Sequence, residues 1–310
     1  MVDKSVIQVL DYLLQELCEN KQPFGGKLVV LGGDFRQVLP VVPRGSKKEH
    51  IEAKIGNGNE PTNSKEEVQI PRPIIIPYTS IEESLERLIT SIYPDLSLFE
   101  RSPFEMTKRS ILCPKNEFVD DINSKLIERF SGSEMTYISD DRAKNARDQG
   151  DYVDYLNTLE RKGLPQHKLI LKKNSPIILL RNINPIEGLC NGTRLICKDL
   201  LPNVIGALIA TGQYRGKHVW ISRISLETNP TDTKYFVRMQ IPVRLCFAMT
   251  INKSQGQTLD YVGLYLKQPV FFHEQLYVGL SRAKTRRNVK VLIVPPTYID
   301  QGTEYTTNVV

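Results

Sequence analysis

Residues 245–259 read Leu-Cys-Phe-Ala-Met-Thr-Ile-Asn-Lys-Ser-Gln-Gly-Gln-Thr-Leu, and residues 275–282 read Gln-Leu-Tyr-Val-Gly-Leu-Ser-Arg. Each joins an apolar segment to an abrupt polar tip. Thr250, Asn252, Lys253, Ser254, Gln255, Gly256 and Thr258 close the first, and Ser281 and Arg282 close the second. An apolar strand of this kind is buried in a parallel sheet, and the turn after it presents hydroxyls, amides, a cation and a glycine backbone that a ligand can approach closely. Such tips suit phosphates. Set at the carboxyl rim of one sheet, they would gather Lys253, Ser254, Gln255 and Arg282 around a shared groove.

Outward from these tips, the flanking sequence alternates in texture. Before them, residues 168–241 carry short β-like runs at 169–171, 177–180, 193–197, 204–209, 218–224 and 235–239, with turn signals such as Asn184-Pro185, Asn191-Gly192 and Asn229-Pro230 between them. Strands at that spacing predict a small β-barrel set into a larger fold. After them, runs at 262–266 and 289–294 around a helix near 274–283 restore an α/β pattern. Earlier, Ile7, Leu10, Leu14 and Leu17 recur at helical spacing, as do Ile81, Leu85, Leu88 and Ile92, and Val119, Ile122, Leu126 and Phe130. Residues 28–31 and 110–113 read as buried strands, 43–72 as surface loop or linker, and 131–166 as a polar loop with a helical piece.

With 310 residues, 40% hydrophobic and 25% charged, the chain has room for two domains of ordinary globular composition. Its apolar runs are far shorter than the roughly 20 residues of a membrane span, so no membrane association is expected. Five cysteines without a Cys-x-x-Cys pair predict buried thiols in a reducing compartment. The four histidines are dispersed and none keeps zinc-like company with a cysteine, so no metal site is expected. A net charge of +6 is too modest to announce a nucleic-acid partner, but Arg282, Lys284, Arg286, Arg287 and Lys290 cluster directly behind the second tip.

Both tips resemble motor motifs five and six of superfamily 1B, 5′-to-3′ DNA helicases of the petite-integration-frequency (PIF) type, in their Helitron-like branch. That branch has the same Asn252 where other relatives carry His. The run 33–37, Gly-Asp-Phe-Arg-Gln, with Leu-Pro-Val-Val at 39–42, resembles motif three. Segments 110–123 and 174–194 resemble the opening of the second motor lobe and an inserted β domain. Together the matches cover most of residues 1–45, 105–200 and 240–295.

The resemblance implies an α/β fold of RecA-like P-loop NTPase helicase lobes, the first incomplete, with an inserted small β-barrel. Residues 1–45 would be a remnant of the first lobe and 46–104 a linker with part of it. Residues 105–166 and 241–310 would form the second lobe, and 167–240 the insert. Gln37 and Arg282 would be catalytic, sensing the terminal phosphate and stabilising charge as an arginine finger. Gly33, Asp34, Gln37, Gly256 and Arg282 would contact the nucleotide, with ATP and Mg2+ as the family's cofactors. Thr250, Asn252, Lys253, Ser254, Gln255, Thr258, Arg181, Arg194, Arg286 and Arg287 would hold single-stranded DNA. A monomer acting on DNA in the nucleus, or in the mitochondrion, is the family expectation.

An ATP motor also needs a Gly-x-x-x-x-Gly-Lys-Ser/Thr loop and an acidic pair for magnesium. Neither occurs in these residues, and motif four is missing before the Ile-Gly-Asn-Gly run at 55–58. The expectation is therefore a helicase fragment without ATPase activity in isolation. The alternatives are a non-catalytic single-strand-binding module and a degenerate transposon-derived fragment.

Overall fold

The computed structural model describes residues 4–29, 67–143, 153–159, 163–228, 235–272, 275–295 and 305–307. Numbered along the chain, a parallel sheet is made of β2 (Arg109–Cys113), β13 (Ala248–Thr250), β14 (Tyr261–Leu266) and β15 (Val289–Ile293), in the order β13-β2-β14-β15. An antiparallel region between β2 and β13 contains β3 (Glu134–Ile138), β4 (Asp140–Ala143), β5 (Lys168–Lys172), β6 (Pro176–Leu179), β7 (Arg194–Leu201) and β8 (Val204–Ile209). It continues through β9 (His218–Ser222), β10 (Ile224–Glu227), β11 (Phe236–Gln240) and β12 (Val243–Leu245). Far apart in sequence, β1 (Glu67–Gln69) and β16 (Tyr305–Thr307) pair antiparallel.

The parallel strands are mostly apolar because both faces are covered, with Arg109, Ser110, Thr250 and Lys290 as their polar members. Period-two alternation then divides their side chains. Ile111, Cys113, Ala248, Tyr265 and Leu292 share one core cluster with Leu85, Leu88, Ile89 and Ile92 and with Phe118, Val119, Ile122 and Leu126. These belong to helices Ile81–Ile92 and Asn116–Arg129. Leu112, Met249, Val262, Leu264, Leu266, Val291 and Ile293 point the other way and pack with Leu276 and Val278 of helix Gln275–Leu280.

Helix Ile81–Ile92 begins on a cap, the Glu83 amide donating to Ser80 Oγ at 3.2 Å. It rests directly on Gly263, where an added Cβ would lie 2.9 Å from Ile92 Cγ1 and 3.2 Å from Leu88 Cδ1. Ile75 bridges Val291 in parallel, and the Ile76 amide donates to the Val291 carbonyl at 2.8 Å. Residues 70–92, expected as linker or first lobe, are therefore bound into the parallel sheet. The helix was legible from its periodicity, but its partner was not.

The antiparallel region is also wider than its expected span of 167–240. β3 pairs with β5 and β4 pairs with β11, so residues 134–143 belong to it, and β12 returns beside β6. Its largest sheet has the order β12-β6-β7-β8-β9. A smaller sheet, β10-β11-β4, is held by a buried ion pair, Arg238 Nε and Nη2 reaching Asp141 at 2.9 and 2.5 Å. Arg238 also donates to the carbonyls of Pro165 and Leu156, and Ser139 Oγ lies between Asp141 and His167.

At the start of the chain, helix Lys4–Leu17 closes onto the turn Pro23–Gly26, with the Phe24 amide donating to Asp11 Oδ1. The strand expected at 28–31 is not found at its first two residues, and Leu28 is 95% exposed; residues 30–31 lie outside the described residues. Cys113, Cys197 and Cys246 are buried thiols, and burial pushes Cys113 and Cys246 above the usual thiol range. Among the described residues, no helix is long and apolar enough to cross a membrane.

Candidate nucleic-acid groove

The first polar tip is shaped by what it buries. β13 ends at Thr250 and the chain makes one 3-10 turn, Ile251–Ser254. Ile251 is fully buried in the core, and the equally buried Ser254 donates its hydroxyl to the Ile251 carbonyl at 2.6 Å. Pinned at both ends, the turn directs Asn252 and Lys253 outward. The Gln257 amide then returns to the Ser254 carbonyl at 2.9 Å, and between them Gly256 sits at φ +76°, a conformation that glycine adopts without strain.

Across from this turn lies the β6–β7 connection of the antiparallel region. Asn191, Gly192, Asn252, Lys253, Gln255, Gly256 and Gln257 line an open groove of about 410 Å³. Lys253 Nζ spans it to Asn191 Oδ1 at 2.7 Å, and the Asn191 amide is fixed by Asn182 Oδ1 at 2.8 Å. Partial burial, with the charges of Arg181 and Arg244 adding to it, holds the Lys253 ammonium below the ordinary lysine range. Arg244 is engaged by Asp120 and by Asn116, so it braces the groove from behind.

Gln275 was not singled out by sequence. It is fully buried, donates from Nε2 to Asn252 Oδ1 at 2.9 Å and accepts from the Phe271 amide at 3.2 Å. It therefore fixes the direction of Asn252. The available signal was a single amide side chain heading the otherwise apolar helix Gln275–Leu280.

Several expected site residues lie elsewhere. Ser254 is interior and has no surface to offer a phosphate. Arg194 is 2% exposed; its Nη2 donates to the Arg109 carbonyl at 3.0 Å, so it joins the antiparallel region to the parallel sheet and does not line a strand-binding surface. Its position at the inward-facing start of β7 explains the difference.

Arg282 is not on the carboxyl rim. Leu259 and Ala283 form a parallel bridge just before β14 and β15, which places Arg282 at the amino edge of the sheet. A parallel sheet requires each connection to return to that edge, and Arg282 stands at the end of such a return. Its guanidinium folds back on Val278 O at 2.9 Å, Ser281 Oγ at 2.8 Å and Gln257 O at 3.4 Å. Through Gln257 it touches the far end of the groove loop. Arg286 and Arg287 are exposed on the turn entering β15, at the same amino edge. Thr258 is exposed, and Thr250 and Arg181 are half-buried. Gly33, Asp34 and Gln37 lie outside the described residues. Among the described residues, the Arg282 guanidinium is thus held by acceptors of its own helix and of the groove loop.

Family models match two parts of the chain: "PIF1-like helicase" over residues 1–66 and "DNA helicase Pif1, 2B domain" over residues 154–200. The second lies within the antiparallel region that forms one wall of the groove. By sequence and by fold, the chain resembles Pif1 proteins. It is 24% identical over 312 residues to the ATP-dependent DNA helicase PIF1 of Danio rerio, covering 96% of the chain and 46% of that protein. With the ATP-dependent DNA helicase Pif1 of Bdellovibrio bacteriovorus it shares 25% over 305 residues, 94% of the chain and 64% of that protein. The chain thus spans about half the length of the first of these curated relatives.

Among solved structures, Bacteroides Pif1 bound to ssDNA superposes with TM-score 0.59 at 21% identity, covering 94% of the chain and 68% of that one. Pif1 from Candida albicans gives 0.53 at 23%, covering 95% and 71%. The fold of these Pif1 structures is therefore shared: a parallel α/β sheet with an antiparallel β region set between its strands.

Proposed function

We propose that this chain supplies the second motor lobe and the β insert of an ATP-dependent 5′-to-3′ DNA helicase, and that the groove at Lys253 holds the sugar-phosphate backbone of single-stranded DNA. One observation carries the reading. A cation and amides, Lys253, Asn252 and Asn191, converge with two positive-φ glycines, Gly192 and Gly256, on an open groove between lobe and insert. Donors of this kind grip phosphates and ignore base identity. No titratable pair suited to acid-base chemistry lines the groove, which fits a track for a strand better than a catalytic centre. Relatives named ATP-dependent DNA helicase, and a neighbour bound to ssDNA, support the same function.

ATP with Mg2+ is the energy source this reading implies for the whole protein, working as a monomer on nuclear or mitochondrial DNA. The 310 residues contain no Gly-Lys-Ser/Thr loop, so the isolated chain should hydrolyse ATP at background rates. DNA-stimulated turnover abolished by Arg282→Ala would refute that part. The binding part is tested by titrating a labelled oligothymidylate at two ionic strengths. Sequence-tolerant binding that weakens with salt is expected, and binding that is absent or indifferent to salt would defeat the reading.

A further inference from the structure

The outer face of the insert carries a ring surface that the groove does not use. β9 is the edge strand of the five-stranded sheet, and its residues alternate, with His218, Trp220 and Ser222 outward and Val219 and Ile221 inward. Trp220 is the sole tryptophan of the chain and is 55% exposed, an unusual position for the largest apolar side chain.

Its surroundings are built around a missing side chain. Strand register sets Gly206 between Asp199 on β7 and Trp220 on β9. A Cβ at Gly206 would lie 2.5 Å from Asp199 Oδ2 and 2.9 Å from His218 Nε2. Glycine therefore lets Asp199 reach across β8 to His218, Nε2 to Oδ2 at 2.9 Å. The imidazole so held stands edge-on to Trp220, with ring centroids 5.0 Å apart at 71°.

Charge and position indicate the occupant. Between Asp199 and Glu227 the chain carries Arg215, Lys217, His218 and Arg223 and no carboxylate side chain. Lys217 is matched by Glu187, whereas Arg215 lies over the Phe104 ring and Arg223 donates to the Ile138 carbonyl. The Ile209 amide donates to the Lys217 carbonyl and the Ala210 amide to the Arg194 carbonyl, so β9 starts at the end of the sheet that carries the Gly192 turn. From β7, which follows that turn, to β9 is two strand spacings, roughly 10 Å, and Trp220, opposite Gly206, stands four residues along from Ala210, roughly 13 Å. A DNA strand reaches from one to the other over a few nucleotides.

We propose that Trp220, with His218 held beside it by Asp199, is a base-stacking platform for an unpaired nucleobase of the strand whose phosphates occupy the groove at Lys253. The proposal rests on the groove reading above. It supplies what the groove lacks, a π-surface that takes any base, and it places sequence-tolerant affinity outside the phosphate contacts.

The sole tryptophan makes the test direct. Binding of a fluorescein-labelled oligothymidylate to the full chain is followed by anisotropy, and binding of the unlabelled strand by Trp220 emission. Quenching of Trp220 along the anisotropy isotherm is expected. Trp220→Ala should bind about tenfold more weakly with an unchanged salt slope, while Trp220→Phe keeps most of the affinity. If anisotropy rises but Trp220 emission stays constant and Trp220→Ala binds as the parent does, the platform is wrong and the groove reading stands. No binding by either signal overturns both. Emission that changes with protein concentration in the absence of DNA would assign the face to a second copy of the chain and overturn the platform.

Discussion

In the proposed groove, Lys253 is the residue on which phosphate binding would turn. Removing its charge removes one phosphate contact, so Lys253→Ala should reduce the slope of log affinity against log salt by about 0.7, measured by the same oligothymidylate titration. Because desolvation and the neighbouring Arg181 and Arg244 hold its ammonium below the ordinary lysine range, the parent should lose this contact on alkaline titration earlier than a lysine in the ordinary range would. His167 gives the opposite pH limb. Burial, aided by the Arg238 charge and opposed by Asp141, lowers its pKa from 6.5 in the folded state. The neutral ring is thus favoured on folding, and stability is lost as pH falls through the unfolded value towards the folded one. Melting at pH 5.5 and 7.5 checks this, and His167→Gln should narrow the difference.

At the scale of elements, legibility followed periodicity. Helix Ile81–Ile92 was readable because its apolar residues recur at helical period, and β14 and β15 because each is a short, mostly apolar run. What each element packs against was not readable, since periodicity names a face and not a partner. Residues 46–104 read as a linker with part of the first lobe, whereas helix Ile81–Ile92 packs on the parallel sheet. The same limit explains Arg282: a motif fixes its neighbours in sequence, whereas the edge of the sheet it reaches depends on how far each connection returns. Ser254 was misjudged because a hydroxyl in a polar run can equally satisfy its own turn. The contact at Gly263 makes the corrected packing testable. Gly263→Val should lower stability by about 1–3 kcal/mol, seen in chemical denaturation, because Ile92 and Leu88 must move away; an unchanged midpoint would argue against the close approach.

For the whole molecule, the antiparallel region must be held firmly against the lobe if the groove between them is to keep its shape. Arg194 reaching the Arg109 carbonyl and Arg244 bridging to Asp120 make that joint. Within the region, Arg238 and Asp141 are 1% and 0% exposed at their side chains. Arg238→Met would leave a buried carboxylate without its partner, and a loss of about 3–5 kcal/mol is expected by denaturation. The most direct measurement of the central claim is photo-crosslinking of oligothymidylate to the chain, with the attached peptides mapped by mass spectrometry. Crosslinks concentrated in residues 190–193 and 252–257, and lost in high salt, are the predicted result. Crosslinks confined to other surfaces, with those two turns unmodified, would contradict the groove.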